Sequence, residues 1–449
     1  MSGPPEDKTL LVHYVDVAGF LRQVEVPYSS LEDEYVAAFD GSSVYGIAPI
    51  ERSDMLLKAV KETLKPVPWD ERAYRIIAAI YEVDGFRSKR DPRLVAERAL
   101  EYSLNNGYLP VMGAELEFFL FDSIEVGVGN PLEGVSYRVE SREHAWRARS
   151  EAPMVKKAYH VASPIDKIQE YRLDLITTAR KLGFTVSASH HEVAVAQMEA
   201  SIGAGDPVEL GDRIVTFKWL SRNLASMKGL IANFMPKPVF GDNGSGLHVH
   251  VSLWDREGRE NLFNNQELGI SDTARYFIGG ILEHARSLAA IVSPTTNSYK
   301  RLVPGYEAPV YTVWGFYNRS AIVRVPTNKG RPRLSRIEYR APDPSANPYL
   351  ALAAILMAGL DGIKKKIDPG DPYEGNVYRL SREERLKLGI RDLPRSLDEA
   401  LDELESDNGY LKPVFTKEIL EAYIEVKREE AKTIRMMPHP YEIYMYSAL

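Results

Sequence analysis

Glu115-Leu116-Glu117-Phe118-Phe119-Leu120-Phe121 closes a run that begins at Val111 and reads as a β-strand, because its aromatic side chains suit a pleated, half-buried surface. Period-2 geometry sets Glu115 and Glu117 on the same face as Phe119 and Phe121. Ionised carboxylates on a partly apolar face are costly unless paired or bound to metal, although a solvated strand end would also carry them. Upstream, the first ~100 residues look strand-rich: Leu10 to Val26 alternates loosely, and Tyr35 to Ile50 contains a Gly-Ser turn. Asp91-Pro92-Arg93 marks a boundary, after which Leu94 to Asn106 has helical spacing. Downstream, helices are predicted over Ile165–Leu182, Val208–Ala232, Thr273–Ile291, Pro348–Lys366, Ser396–Glu405 and Thr416–Arg435. The irregular alternation predicts an α+β catalytic domain built on an antiparallel sheet.

With 449 residues the chain exceeds one compact core, and two or three units are expected, a small one first and a large one after it. Apolar residues at 44% and charged residues at 27% describe an ordinary folded protein. A net charge of -7 gives no broad basic surface, which excludes nucleic acid as a main partner, and an anionic substrate would need local arginines. The longest strongly apolar run, Leu350 to Leu360, is about half of the roughly 20 residues a membrane span needs and reads as a buried helix, so no membrane role is expected. Met1 to Leu10 lacks the basic start and apolar stretch of a signal peptide, and a cytoplasmic location is expected. The absence of cysteine excludes disulfides, thiolate-zinc sites and cysteine nucleophiles, so any metal must be held by oxygen and imidazole. Neither a Walker-type phosphate loop nor a dinucleotide fingerprint is present.

Further segments pair carboxylates, imidazoles and guanidiniums. In Asn243-Gly244-Ser245-Gly246-Leu247-His248-Val249-His250-Val251-Ser252 a Gly-rich turn leads into a strand with His248, His250 and Ser252 on one face. The pair could be ligands or structural histidines. Arg336-Ile337-Glu338-Tyr339-Arg340 sets a carboxylate between two guanidiniums, either a salt-bridge ladder or a metal-binding Glu beside arginines whose forks match phosphate oxygens. Arg301, Arg319, Arg324 and Arg333 add positive charge nearby in sequence. Glu192 and Glu199, seven residues apart, would fall on opposite faces of a regular strand, so a turn or bulge must intervene if they converge. Pro304-Gly305-Tyr306-Glu307-Ala308-Pro309 reads as a loop or lid, and Asp40-Gly41-Ser42-Ser43 as a turn.

Taken together and in this order, these segments resemble the type I glutamine synthetases from about residue 10 to the C-terminus. The most specific stretches are Phe39 to Ser43, Glu115 to Phe119, His190 to Ala194, Phe234 to His250, Lys300 to Pro309 and Arg336 to Tyr349. The resemblance implies a small β-grasp-like N-terminal domain over 8–100 and a catalytic domain with a curved antiparallel sheet and a helical tail over 101–449. It implies glutamate–ammonia ligase activity: ATP phosphorylates the side-chain carboxylate of glutamate, and ammonium supplies the amine. Glu117, Glu192 and Glu199 would hold one metal and Glu115, His248 and Glu338 a second, a donor set suited to Mg²⁺ or Mn²⁺, two to three ions per active site. The implied catalytic residues are Asp40, Glu307 and Arg319, with Asp40 as the base contributed by a neighbouring subunit. Ser43, Tyr159, Asn243, Gly244, Arg301 and Arg340 would bind substrate, and His250, Ser252, Arg324, Arg333 and Arg336 the nucleotide. A homododecamer of two stacked hexameric rings is implied, with the tail Pro438 to Tyr446 clasping the opposite ring.

The chain also departs from the family pattern. Lys157-Ala158-Tyr159-His160 stands where Gly-Gly-Tyr-Phe is expected, and Ala200 to Ala204 lacks the aromatic that would stack on adenine. Arg391 occupies the position of the tyrosine adenylylated in one branch, and Pro49 that of an arginine used for feedback in another. Two alternatives stay open: a sister ligase joining glutamate to a polyamine, ethanolamine or methylamine, and a catalytically inactive structural or regulatory homologue.

Overall fold

The computed structural model describes residues 7–130, 134–143, 151–265, 269–328 and 330–447, with the side chains of Tyr444 and Tyr446 outside the description. The first five strands are β1 (Thr9–Val15), β2 (Leu21–Pro27), β3 (Ala37–Asp40), β4 (Asp54–Pro66) and β5 (Ala73–Glu82). They form one sheet in the order β2-β1-β5-β4-β3, with β1 and β5 parallel and the other pairs antiparallel. The strand expected within 35–50 is short: β3 ends at Asp40, whose side chain accepts from the Ser42 N–H and starts a 3-10 turn over Gly41–Ser43.

Asp91-Pro92 begins a helix. Asp91 caps α1 (Pro92–Asn105) by accepting from the Arg93 N–H, while its other oxygen accepts from the Ile80 N–H of β5. One carboxylate therefore joins the first sheet to the rest of the chain.

The second sheet is built around β6 (Tyr108–Phe121), followed by the hairpin β7 (Ser123–Gly127) and β8 (Ser136–Glu140). After α2 (Gln169–Lys181) come β9 (Val186–His191) and β10 (Gln197–Gly205), then α3 (Pro207–Met227), β11 (Ile231–Asn233) and β12 (Leu247–Asp255). The helix expected to reach Ala232 stops at Met227, because Gly229 takes φ +65 and the chain turns into β11 against β6. Next are α4 (Asp272–Glu283), α5 (Ala285–Val292), α6 (Ser298–Arg301), β13 (Trp314–Phe316), β14 (Val323–Val325) and β15 (Ile337–Tyr339). The single helix expected over 273–291 is two, broken at His284, whose ring is held between Asp361 and Asp407. The sheet runs β13-β14-β15-β12-β6-β10-β9, with β13 and β14 parallel and the remaining pairs antiparallel. The chain ends with α7 (Pro348–Lys365), α8 (Arg382–Lys387), α9 (Leu397–Ser406), α10 (Lys417–Arg435) and α11 (Pro440–Tyr446).

One face of the second sheet is apolar. Leu116, Phe118, Leu120, Met198, Ala200, Val249, Val251 and Ile337 are buried in a core shared with α3 and α7. Phe119 and Phe121 face the other way and pack on Ala194, Val195 and Ala196. α4 and α7 cross on glycine: a Cβ at Gly280 would lie 2.0 Å from the Ala358 carbonyl oxygen, and one at Gly362 would lie 2.2 Å from that of Tyr276. Any side chain there would separate the helices. At the start of α7, Asn347 caps the helix and donates to the Asp16 carbonyl (2.9 Å), tying α7 to the first sheet.

Candidate active site

Strand register assembles the polar face of the second sheet. His248 of β12 stands opposite Glu115 of β6, Glu199 of β10 opposite Glu117, and Glu338 of β15 opposite His250. Arg324 of β14 is in turn opposite Glu338. The seven-residue separation of Glu192 and Glu199 is resolved by a turn: the Glu192 N–H donates to Gln197 (2.9 Å), Ala196 takes φ +62, and the chain re-enters on β10. Glu192 and Glu199 thereby reach the same side.

The resulting donor atoms crowd together. His248 Nδ1 lies 3.7 Å from both Glu115 and Glu338, and its Nε2 lies 3.7 Å from Glu117. His190 Nε2 is 3.2 Å from Glu199, and its Nδ1 is 3.8 Å from Glu192. Three groups, Glu115–His248–Glu338, Glu117–Glu199–His248 and His190–Glu192–Glu199, each bring one ligand atom per residue within 4.8 Å of the others. Burial, followed by the charges of Glu192 and Glu199, pushes the Glu117 carboxyl well above the usual range. Burial and Glu199 push Glu192 up to about 7. Glu338 is also buried, but Arg340, His250, His248 and Arg324 bring it below the usual range. A cluster whose carboxylates repel one another fits divalent cations, and oxygen with one or two imidazoles suits Mg²⁺ or Mn²⁺.

These side chains line a cavity of about 250 Å³ that contains all six expected metal ligands. Of the other expected residues, Tyr159, Asn243, Gly244, Arg301, Glu307, Arg319, Arg324 and Arg340 line it as well. Arg301 is fixed by donating to the carbonyls of Ala341 (2.7 Å) and Arg340 (3.0 Å), and Arg340 donates to Glu338 (2.7 Å). A wider opening of about 400 Å³ lies alongside, between Tyr159, Val193, Glu307, Arg319, Ser320 and Tyr378.

The remaining expected residues lie elsewhere. His250 sits 3.0 Å from Glu115 and accepts from Arg336 Nε (3.3 Å), while Ser252 accepts from Trp254 Nε1 (3.1 Å), and Arg333 lies over the Trp254 ring at 5.0 Å. These form a second polar patch along β12. Asp40, at the end of β3, and Ser43, in the 3-10 turn that follows it, line neither opening. Asp40 is exposed and accepts from both Ser42 (2.6 Å) and Ser43 (2.7 Å), hydrogen bonds that hold its carboxyl below the usual range.

Sequence reasoning missed His190, Gln197, Ser201 and Tyr306 as lining residues. His190 and Gln197 lie two positions from Glu192 and Glu199, so strand periodicity offered a signal for both. For Tyr306 the only signal was its place beside Glu307 in the loop: the ammonium groups of Lys156 and Lys237 each lie 3.8 Å from its ring centroid, and Glu307 takes φ +59. Arg391 donates to the carbonyls of Leu282 (2.8 Å) and Glu283 (3.0 Å), closing the C-terminal end of α4.

Residues 7–83 match the glutamine synthetase β-grasp domain family, and residues 89–446 match the glutamine synthetase catalytic domain family. The chain is 47% identical over 446 residues to a glutamine synthetase of Sulfolobus acidocaldarius, covering 97% of this chain and 94% of that protein. It is 45% identical over 396 residues to that of Pyrococcus furiosus, with 88% and 84% covered. Among solved structures, the Plasmodium falciparum glutamine synthetase superposes with a TM-score of 0.88 at 27% identity, covering 99% of this chain and 96% of that one. A GmaS/ADP complex gives 0.84 at 29% identity, with 99% and 97% covered.

Proposed function

The chain belongs to the glutamine synthetase family, and from that premise we propose that it ligates ammonia to the γ-carboxylate of L-glutamate. ATP is the co-substrate, and L-glutamine, ADP and phosphate are the products. Its catalytic domain is that of a glutamate–ammonia ligase. The observation that carries the proposal is one cavity in which eight carboxylate and imidazole side chains, the six expected metal ligands among them, face four guanidiniums, those of Arg301, Arg319, Arg324 and Arg340.

A carboxylate resists attack by an amine because oxide is a poor leaving group. In the proposed sequence a γ-carboxylate oxygen of glutamate bonds to the γ-phosphorus of ATP as the bond to ADP breaks, giving γ-glutamyl phosphate. Ammonia then bonds to the acyl carbon as phosphate departs with its electron pair. Glu117, Glu192 and Glu199 would hold one Mg²⁺ or Mn²⁺, and Glu115, His248 and Glu338 another. Divalent cations bound there neutralise charge on the transferring phosphoryl group. Arg319, Arg324, Arg336 and Arg340 orient and screen the phosphates, and preorganised positive charge at that point is worth several-fold more than in water. Arg301 takes the glutamate α-carboxylate, and Asn243 and Gly244 its amino end. His250, Ser252 and Arg333 extend the nucleotide side along β12.

Ammonium must lose a proton before it can attack. Asp40, Ser43, Tyr159, Glu192 and Glu307 form the cation pocket, with Asp40 as the base. Asp40 lines neither opening of its own chain, which supports a site completed by Asp40 of a neighbouring copy in a dodecamer of two hexameric rings. The exposure of Tyr441, Ile443 and Met445 in α11 supports burial of that tail against another subunit. Glu307's loop closes over the acyl phosphate and excludes water. Among the described residues no helix is long and apolar enough to cross a membrane, and a cytoplasmic location belongs to this proposal.

A second acceptor class is favoured by one observation. His160 stacks on Tyr159 at 4.0 Å and lies 4.5 Å from His190, beside the wider opening that reaches Glu307. That space would admit an alkylamine. Phosphate release from ATP, measured with glutamate, Mg²⁺ or Mn²⁺, and either ammonium or a panel of amines, decides between them. Turnover with ammonium is expected. Turnover with a larger amine and none with ammonium would overturn the proposal, and absence of turnover with every acceptor would mark an inactive homologue.

A further inference from the structure

Glu143 lies behind the cavity, and its side chain is fully buried together with that of His191. Its carboxylate accepts three hydrogen bonds: one oxygen accepts from His191 Nε2 (2.9 Å) and the Ala196 N–H (2.7 Å), the other from the Lys167 N–H (3.1 Å). His191 Nδ1 lies 2.8 Å from the Glu192 carbonyl, so both ring nitrogens face acceptors. One carboxylate thus joins the end of β9, the turn into β10 and the chain leading to α2. Asp166 stands nearby, occupied by Arg172 and the Ile168 N–H (3.0 Å). Although Glu143, Asp166 and His191 bring ligand atoms within 4.8 Å of one another, each carboxylate is already occupied by N–H donors, and the group reads as a hydrogen-bonded scaffold.

What this scaffold grips is the turn on which the proposed site depends. Glu192 begins it, Ala196 ends it in the left-handed region at φ +62, and Glu199 follows three residues later. A non-glycine residue holds such a conformation only where its surroundings impose it, and the Glu143 carboxylate bonded to the Ala196 N–H does so. We propose that Glu143 is a positioning residue, holding the turn through His191 and Ala196 so that Glu192 and Glu199 converge with Glu117 on one divalent cation. This rests on the assignment of those three carboxylates to a cation site.

Mn²⁺ titration of the full chain, followed by electron paramagnetic resonance, tests it. Glu199→Gln and Glu338→Gln identify which binding class belongs to which ligand group. Glu143→Gln replaces one acceptor oxygen with an amide donor, so the contacts to His191, Ala196 and Lys167 cannot all survive. The expected result is a fall of about 10–100-fold in Mn²⁺ affinity at the Glu117–Glu192–Glu199 group, as loss of a supporting hydrogen bond produces elsewhere, with the other class unchanged. Should Glu143→Gln not fold, His191→Gln keeps a donor toward Glu143 while losing the Glu192 carbonyl, and the same selective loss is expected. Unchanged affinity, equal weakening of both classes, or failure of both variants to fold overturns the proposal. Absence of two Mn²⁺ classes in the unsubstituted protein overturns the cation assignment itself, which separates the two failures.

Discussion

Glu117→Gln separates what the acidic cluster costs the fold from what it gains on binding a cation. The Glu117 side chain is 11% exposed, and this burial, followed by the charges of Glu192 and Glu199, raises its proton affinity strongly. Its Oε2 accepts from the Gly246 N–H (2.9 Å) and Gln197 Nε2 (3.3 Å). Glutamine can keep its carbonyl oxygen there and turn a neutral amide toward the crowded side. In a chelator the variant should therefore be at least as stable as the parent, since one member of a like-charged group is gone. At a free cation concentration about 100 times Kd, binding stabilises the parent by about 2.7 kcal/mol. If losing a direct ligand weakens binding about 100-fold, the same concentration yields about 0.4 kcal/mol, so the cation-dependent increment shrinks by roughly 2.3 kcal/mol. Urea unfolding with EDTA and across a Mn²⁺ series measures both quantities. A variant less stable than the parent in EDTA, with an undiminished Mn²⁺ increment, would refute the reasoning.

Glu338→Ala should abolish phosphoryl transfer, and Asp40→Ala should mainly raise the ammonium requirement, read as glutamate-dependent acyl phosphate formation against glutamine output; equal loss of acyl phosphate in both contradicts this division. If the site is completed by a neighbour, mixing the two variants and reassembling them should restore part of the glutamine output at low ammonium that neither gives alone, while no recovery argues for a site within one chain. His284 donates to Asp361 (2.9 Å) and Asp407 (2.8 Å), with Lys365 on Asp361 and Ser287 and Tyr410 alongside, and these acidic partners raise its pKa above 6.5 despite burial. A raised histidine pKa contributes stability that is fully present below about 6.5 and lost as pH rises through the folded value. The melting temperature should fall across that window, and His284→Gln should flatten the slope; an unaltered slope refutes the assignment.

What could be read without coordinates was the periodic part of the chain. Alternation in 111–121 and 247–252 placed Glu115, Glu117, His248 and His250 on the correct faces, because strand geometry leaves a side chain only two directions. The requirement for a turn between Glu192 and Glu199 was legible from their odd spacing, whereas the agent that holds it, Glu143, was not, since it lies 48 residues from His191 in the chain. Helix ends failed where local exceptions decide them: Gly229 stops α3 early, and the doubly paired His284 divides α4 from α5. The clamp on Tyr306 by Lys156 and Lys237 was invisible for the same reason as Glu143, being a contact between segments far apart in sequence.

The crossing of α4 and α7 on glycine carries a consequence for how the molecule fluctuates. Where backbone meets backbone, no rotamer can change to absorb a displacement, so the seam lacks the soft modes that side-chain packing supplies elsewhere. From it, α7 runs back to Asn347 and the first sheet, while α5 leads toward Val292, whose carbonyl accepts from the Asp343 N–H (3.0 Å) three residues beyond Arg340. The arginine wall of the cavity is thus mounted on a stiff frame, and Glu307 sits in a loop whose Pro304 and Gly305 are exposed. Amide exchange should be slowest along α4 and α7 and fastest near 304–307, so that closure moves the loop against a nearly immobile base.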